Sequence, residues 1–136
     1  MNTNKNIILK TINDHSNESG NLVAIDYQKD LENIIKRTFI VNSSAKTIRG
    51  KHAHKELTQF LICVNGICEV ICDDGYSKKK FILDRPNKIL KIPNQIWAEQ
   101  HYKTENTCLI VMCDDVYKEN DYIRDYELFK DFRNSI

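Results

Sequence analysis

The sequence predicts an all-β domain with a short C-terminal helix, and three observations carry that prediction. Between residues 59 and 113 hydrophobicity alternates at period two or gathers into short apolar runs. Turn signals interrupt those runs at intervals of about 8 to 12 residues, the spacing of barrel and sandwich strands. No helical periodicity of useful length occurs before the final stretch of chain.

The first 20 residues are polar and predict no element. Lys36-Arg37 opens a strand, and a further strand carries His52 and His54. Asn65-Gly66 separates Phe60–Val64 from Ile67–Cys72 and predicts a β-hairpin, because both turn residues tolerate positive φ. Pairing through that turn sets Cys63 opposite Cys68, Leu61 opposite Val70 and Gln59 opposite Cys72. Those six residues then share the inner face, since the opposite face carries Glu69. Turns at Asp73-Asp74-Gly75, Asp84-Arg85-Pro86-Asn87, Pro93-Asn94 and Lys103–Asn106 separate strands near 77–83, 88–92, 96–102 and 107–113. Beyond Asp121, a possible helix cap, Tyr122, Ile123, Tyr126 and Phe129 recur at helical spacing.

The chain has 136 residues, which argues for one domain spanning 1–136. Its 41% hydrophobic and 29% charged residues suit a soluble protein with a core of useful size. Twenty Lys+Arg against 19 Asp+Glu leave a net charge of +1, so neither nucleic acid nor a membrane surface is expected as partner. Met1–Ser16 lacks the apolar core of a secretory signal, and no apolar run approaches the roughly 20 residues of a membrane helix. The expectation is a cytoplasmic protein. Five cysteines without a CxxC pattern predict neither a disulfide framework nor a zinc ribbon. Lys78-Lys79-Lys80 reads as a solvated strand face, and His15 in the polar leader carries no signal.

The informative segment is Arg49-Gly50-Lys51-His52-Ala53-His54-Lys55, followed by Gln59 and Gly66. His-x-His on a strand directs both imidazoles to one side. His52, His54, Gln59 and Gly66 resemble the first motif of the cupin family, with Gln in place of Glu; Gly50 lies too close to His52 to be that motif's first glycine. Pro93-Asn94-Gln95-Ile96-Trp97-Ala98 resembles the second motif, with Ala98 where the fourth metal ligand would stand. Two cupin ligands are therefore absent from the pattern, and no metal and no other cofactor is expected.

Residues 20–133 more specifically resemble the nucleotide-sugar 3,4-ketoisomerases. The matching stretches are Lys36-Arg37, Arg49–Lys55, Leu61–Gly66, Ile71–Gly75, Ile96-Trp97 and Asp121–Tyr126. The resemblance implies a cupin (jelly-roll-like) barrel and a cofactor-free, homodimeric enzyme. It also implies conversion of dTDP-4-keto-6-deoxyglucose to its 3-keto isomer, for 3-amino sugars of the O-antigen type. By the same resemblance His52 is the base at carbon and His54 the shuttle between oxygens.

Those residue types suit the chemistry, because moving a ketone from C4 to C3 is a series of proton transfers. Imidazole, with an unperturbed pKa of about 6.5, gives and takes protons near neutrality. Without a metal, the enediolate needs fixed donors such as the Gln59 amide or a protonated imidazole. The substrate's phosphates need local cations. Arg49 ranks first and Arg37 second, with a structural salt bridge as the plain alternative for Arg37. Trp97 can stack on sugar or base, and His101 can occupy an inward position, though a structural role is the more common one for each. Ala98, where several members of the family have His, leaves the gluco or galacto configuration of the product open.

Parity poses one conflict. His52 and His54 are even-numbered, whereas inward Gln59, Leu61 and Cys63 are odd, so an irregular step is expected between Lys55 and Thr58. The rival functions are a dTDP-sugar 3,5-epimerase, a metal-dependent cupin and a non-catalytic sugar-nucleotide-binding cupin.

Overall fold

The computed structural model describes residues 1–136. After β1 (Ile8–Thr11) and the single-turn α1 (Tyr27–Asp30) come β2 (Arg37–Ser43), β3 (Thr47–His54), β4 (Gln59–Asn65) and β5 (Cys68–Asp73). Then follow β6 (Lys78–Leu83), β7 (Lys88–Ile92), β8 (Trp97–Tyr102), β9 (Thr107–Cys113), β10 (Tyr122–Ile123) and α2 (Tyr126–Ser135). The strands form two five-stranded antiparallel sheets, ordered β1-β7-β4-β9-β2 and β10-β3-β8-β5-β6. The architecture is the all-β roll expected, closed by one C-terminal helix.

The main core lies between the sheets and contains Leu61, Cys63, Cys68, Val70, Cys72, Leu83, Leu90, Leu109 and Val111. Burying each aliphatic side chain of this kind stabilises the fold by about 1.5–3 kcal/mol. The residues assigned to the inner face from alternation do face inward, including Gln59, which is 5% exposed. Their pairing differs from the hairpin expected. β4 pairs with β7 and β9, whereas β5 pairs with β6 and β8 in the other sheet. Asn65-Gly66 therefore carries the chain from one sheet to the other. Gly66, at φ 81°, is pressed against Thr104 and Thr107, where a Cβ would lie 2.3 Å from the Thr104 Oγ1. Turn chemistry specifies a reversal, and the facing sheets satisfy it across the core.

The outer face of the first sheet is covered by the N-terminal segment. Ile12 and Leu31 pack there on Phe60, Ile62, Ile89 and Met112. On the second sheet, α2 covers one end through Phe129, which packs with Ala53, Trp97 and Ile123. The helix begins later than expected, because Asp125 supplies the cap by accepting from the Leu128 N–H. Tyr122 and Ile123 instead extend the second sheet by pairing with His54 and Ala53. All five cysteines are free thiols. No helix is long and apolar enough to cross a membrane.

Candidate active site

β3 carries the two histidines, and a local irregularity aims them. Gly50 (φ 81°) and Lys51 (φ 55°) shift the register against β8, where Gly50 is opposite Glu99 but His52 is opposite Ala98. Arg49 and His52 therefore both face inward, beside Gln100 and Ala98. Gly50 is required here, since a Cβ would sit 2.9 Å from the Ala98 carbonyl oxygen in a backbone conformation L residues rarely adopt. Normal alternation then brings His54 inward and turns Ala53 out toward Trp97 and Phe129. Residues 55–58 form no strand and carry the chain to the opposite sheet, so the irregular step expected there is present. The Gly50–Lys51 bulge is an additional device.

The imidazole centroids of His52 and His54 lie 5.0 Å apart, edge to face. Tyr122 packs against both rings at 5.0 and 4.3 Å. Each histidine uses its Nδ1 internally: His52 Nδ1 is 3.0 Å from the Gly50 carbonyl oxygen, and His54 Nδ1 is 3.0 Å from Asp121 Oδ2. His54 Nε2 is buried without a hydrogen-bond partner. Burial, reinforced by the neighbouring His54, holds His52 well below the ordinary imidazole value, at about 4. Burial also lowers His54, against the opposing effect of Asp121. Both rings are thus neutral at pH 7 and able to accept a proton.

The rings face the interior between the sheets. β2 and β3 follow one another in sequence but lie in different sheets, and their inward side chains Arg37, Phe39, Thr47 and His52 are half-buried, with Arg49 exposed. Arg37 has no ion pair. Its guanidinium stacks over Phe39 at 4.8 Å and Tyr117 at 5.4 Å, while Nη1 is buried without a partner. The structural salt bridge considered for it is absent, leaving the guanidinium unpaired between Phe39 and Tyr117. Gln59 lies in the interior opposite Cys113 and Ile92.

Two candidate residues do not line this interior. On β8 the even-numbered Ala98, Gln100 and Tyr102 are buried, while the odd-numbered residues occupy the other face. Trp97 is buried beneath α2, 5.2 Å from the Tyr126 ring and 5.7 Å from Phe129, and its Nε1 donates to Glu99. His101 lies on the same outer face with Nε2 3.5 Å from Glu99 Oε1. The alternation that turns Ala98 inward excludes both from the site.

The segment after β9 adds side chains that the sequence reading did not assign to the site. A 3₁₀ turn at Glu119–Asp121 leads into β10, placing Asp121 and Tyr122 on the histidines. Arg124 donates to both carboxylate oxygens of Glu119 and lies 4.2 Å over Tyr122. Tyr117 also donates to Glu119. The signal for this cluster was the density of aromatic and charged residues between Tyr117 and Arg124.

Two imidazoles with free Nε2 atoms, an inward amide and arginines without ion pairs suit proton transfer on a phosphate-bearing substrate. Comparison with known proteins identifies the reaction class. Residues 4–134 match the family described as FdtA: WxcM-like, C-terminal. The chain is 40% identical over 130 residues to the TDP-4-oxo-6-deoxy-α-D-glucose-3,4-oxoisomerase of Aneurinibacillus thermoaerophilus, covering 95% of this chain and 91% of that one. The sugar 3,4-ketoisomerase QdtA of Thermoanaerobacterium thermosaccharolyticum in complex with TDP superposes with a TM-score of 0.91, at 31% identity and 98% coverage of both chains. A His-to-Asn variant of QdtA in complex with TDP-4-keto-6-deoxyglucose superposes at 0.89, at 31% identity and covering 96% of this chain and 95% of that one. The chain thus belongs to the FdtA family of sugar 3,4-ketoisomerases.

Proposed function

We propose that this protein converts dTDP-4-keto-6-deoxyglucose into a dTDP-linked 3-keto-6-deoxyhexose by proton transfer between His52, His54 and the sugar. The observation that carries the mechanism is the disposition of the rings: each Nδ1 is engaged by an oxygen of the protein, leaving both Nε2 atoms for the substrate. The substrate assignment is supported by TDP and TDP-4-keto-6-deoxyglucose in complexes of the QdtA relative.

In this reading His52 takes the C3 proton, and the electron pair moves into an enediolate spanning C3 and C4. The O3 proton passes to O4 by way of His54. Collapse of the O3 oxyanion to a ketone then returns a proton to C4. The net change moves one hydrogen from C3 to C4 and one from O3 to O4, so no redox cofactor is required. A positioned general acid or base contributes about 10²- to 10⁴-fold. Gln59 offers an amide donor to the enediolate in a water-poor interior. Arg37 and Arg49 meet the diphosphate, Arg37 with its buried, unpartnered Nη1. Ala98 sits opposite His52 without a proton to offer, so C4 receives its proton from the histidine pair.

The same reading places the enzyme in the cytoplasm as a homodimer, supplying a 3-keto sugar to an aminotransferase for O-antigen-type glycans. A monomer by light scattering at micromolar concentration would refute the dimer.

Incubation with dTDP-4-keto-6-deoxyglucose in deuterated water tests the reaction. NMR is expected to show a 3-keto product labelled at C4, formed by the wild type and abolished in His52→Asn and His54→Asn variants that still bind dTDP. Inversion at C5 with the ketone left at C4 would identify an epimerase instead.

A further inference from the structure

The two imidazoles differ in what holds them. His52 Nδ1 meets a neutral backbone carbonyl, that of Gly50. His54 Nδ1 meets the carboxylate of Asp121, whose side chain is 10% exposed. The carboxylate is itself fixed by the crossover loop: Oδ1 accepts from the Glu56 N–H at 2.8 Å and Oδ2 from the Leu57 N–H at 3.4 Å. The Asp121 carbonyl additionally accepts from the Lys55 N–H at 2.9 Å. One residue thus ties the end of β3, the crossover loop and β10 together around His54.

We infer that Asp121 is a positioning residue that holds His54 as its Nδ1–H tautomer, turning a bare Nε2 toward the sugar and favouring the imidazolium when that nitrogen takes a proton. A carboxylate oxygen only accepts, so the ring nitrogen facing it must donate. That leaves the lone pair on Nε2, the buried atom that has no protein partner. The other charged side chains acting on His54 are Arg37 from β2 and Arg124 beyond β10, and both disfavour a second proton on the ring. Asp121 counters them at contact distance. His52, bound to a carbonyl and next to His54, has no equivalent counter-charge in contact. The asymmetry makes His54 the member of the pair suited to carry a proton between O3 and O4. The inference rests on the proton-transfer reading of His54, and it identifies a residue that acts through the ring nitrogen opposite the bare Nε2.

Asp121→Asn is the discriminating variant. An Asn whose Oδ1 keeps the bond from Glu56 turns its NH₂ group toward His54 Nδ1, and the flipped amide would offer that nitrogen a neutral oxygen in place of the charged one. In the first orientation two donors cannot face each other, so the ring must shift its proton to Nε2 and lose the lone pair on the substrate side; in the second it loses the counter-charge. In ¹⁵N-histidine-labelled protein, two-bond ¹H–¹⁵N correlation spectra near neutral pH are expected to show His54 as Nδ1–H in the wild type and to tell the two orientations apart in Asp121→Asn. Turnover should fall about 10²-fold or more, with the dissociation constant for dTDP unchanged. An Nε2–H tautomer at His54 in the wild type overturns the inference without reference to any variant. Undiminished kcat in a folded Asp121→Asn protein, whichever tautomer His54 adopts, overturns it equally. Full turnover by His54→Asn would instead remove the catalytic reading beneath it, while the tautomer spectra would still decide what Asp121 does.

Discussion

The two ends of the interior follow the same alternation and reach opposite results. At the end lined by Cys63, Cys68, Leu83, Tyr102 and Leu109, every residue is at most 1% exposed and packing is mainly apolar; the Cys63 thiol donates to the Asn65 and Gly66 carbonyls, and only the Tyr102 hydroxyl is buried without a partner. At the other end His52, His54, Gln59 and Arg37 occupy equivalent inward positions, and His54 Nε2 and Arg37 Nη1 are buried without partners. An unsatisfied buried polar group costs about 1–3 kcal/mol. Apolar burial dominates the first end, and in the proposed reading the unpartnered groups of the second meet the substrate.

The largest effect expected from this contrast is on turnover. His52→Asn and His54→Asn should each lower kcat by about 10²- to 10⁴-fold while leaving the melting temperature near that of the wild type, as steady-state assays and thermal denaturation would show. At the closed end the pattern should invert. Leu109→Ala is expected to lose about 2–5 kcal/mol of stability in urea titrations, with the specific activity of the remaining folded protein little changed. A Leu109 variant that kept its stability but lost turnover would break the distinction between the ends.

Smaller effects sharpen it. Arg37→Gln removes the unpaired cation and should weaken dTDP binding by about 10- to 100-fold, the worth of a hydrogen bond to a charged group, with a lesser effect on kcat for the saturated enzyme. Isothermal titration calorimetry measures this directly. Acidity gives the subtlest difference. A base functions only when unprotonated, and His52 is held at about 4, so the acid limb of kcat/KM should lie below the ordinary imidazole range. The stability linkage has the same direction. Between about pH 6.5 and the folded value of about 4, the unfolded imidazole binds the proton that the folded one refuses, so stability falls as pH falls through that window. His52→Asn should consequently unfold less readily on acidification, as followed by circular dichroism.

Much of this molecule is written in period two. Which of Gln59, Leu61, Cys63, Cys68, Val70 and Cys72 face inward follows from strand alternation, and the conflict of that parity with His52 and His54 correctly locates an irregular crossover. Partner choice was not legible in the same way. Asn65-Gly66 announces a turn, but whether the chain returns beside β4 or crosses to the facing sheet depends on strands distant in sequence. The same limit hid Asp121, whose capping chemistry is shared by Asp125 four residues on. Its contact with His54 spans 67 residues, and no local pattern encodes it. Trp97 and His101 fall outside the site because a strand has two faces, and motif spacing alone does not say which face a neighbour of Ala98 takes.

Isotope exchange at the sugar tests the central claim most directly. With dTDP-4-keto-6-deoxyglucose in deuterated water, the wild type should form a 3-keto product carrying deuterium at C4. His54→Asn should wash out the C3 hydrogen with little or no product, and His52→Asn should do neither while still binding dTDP. A doubly substituted His52→Asn/His54→Asn protein that isomerised the sugar at the wild-type rate would contradict the account.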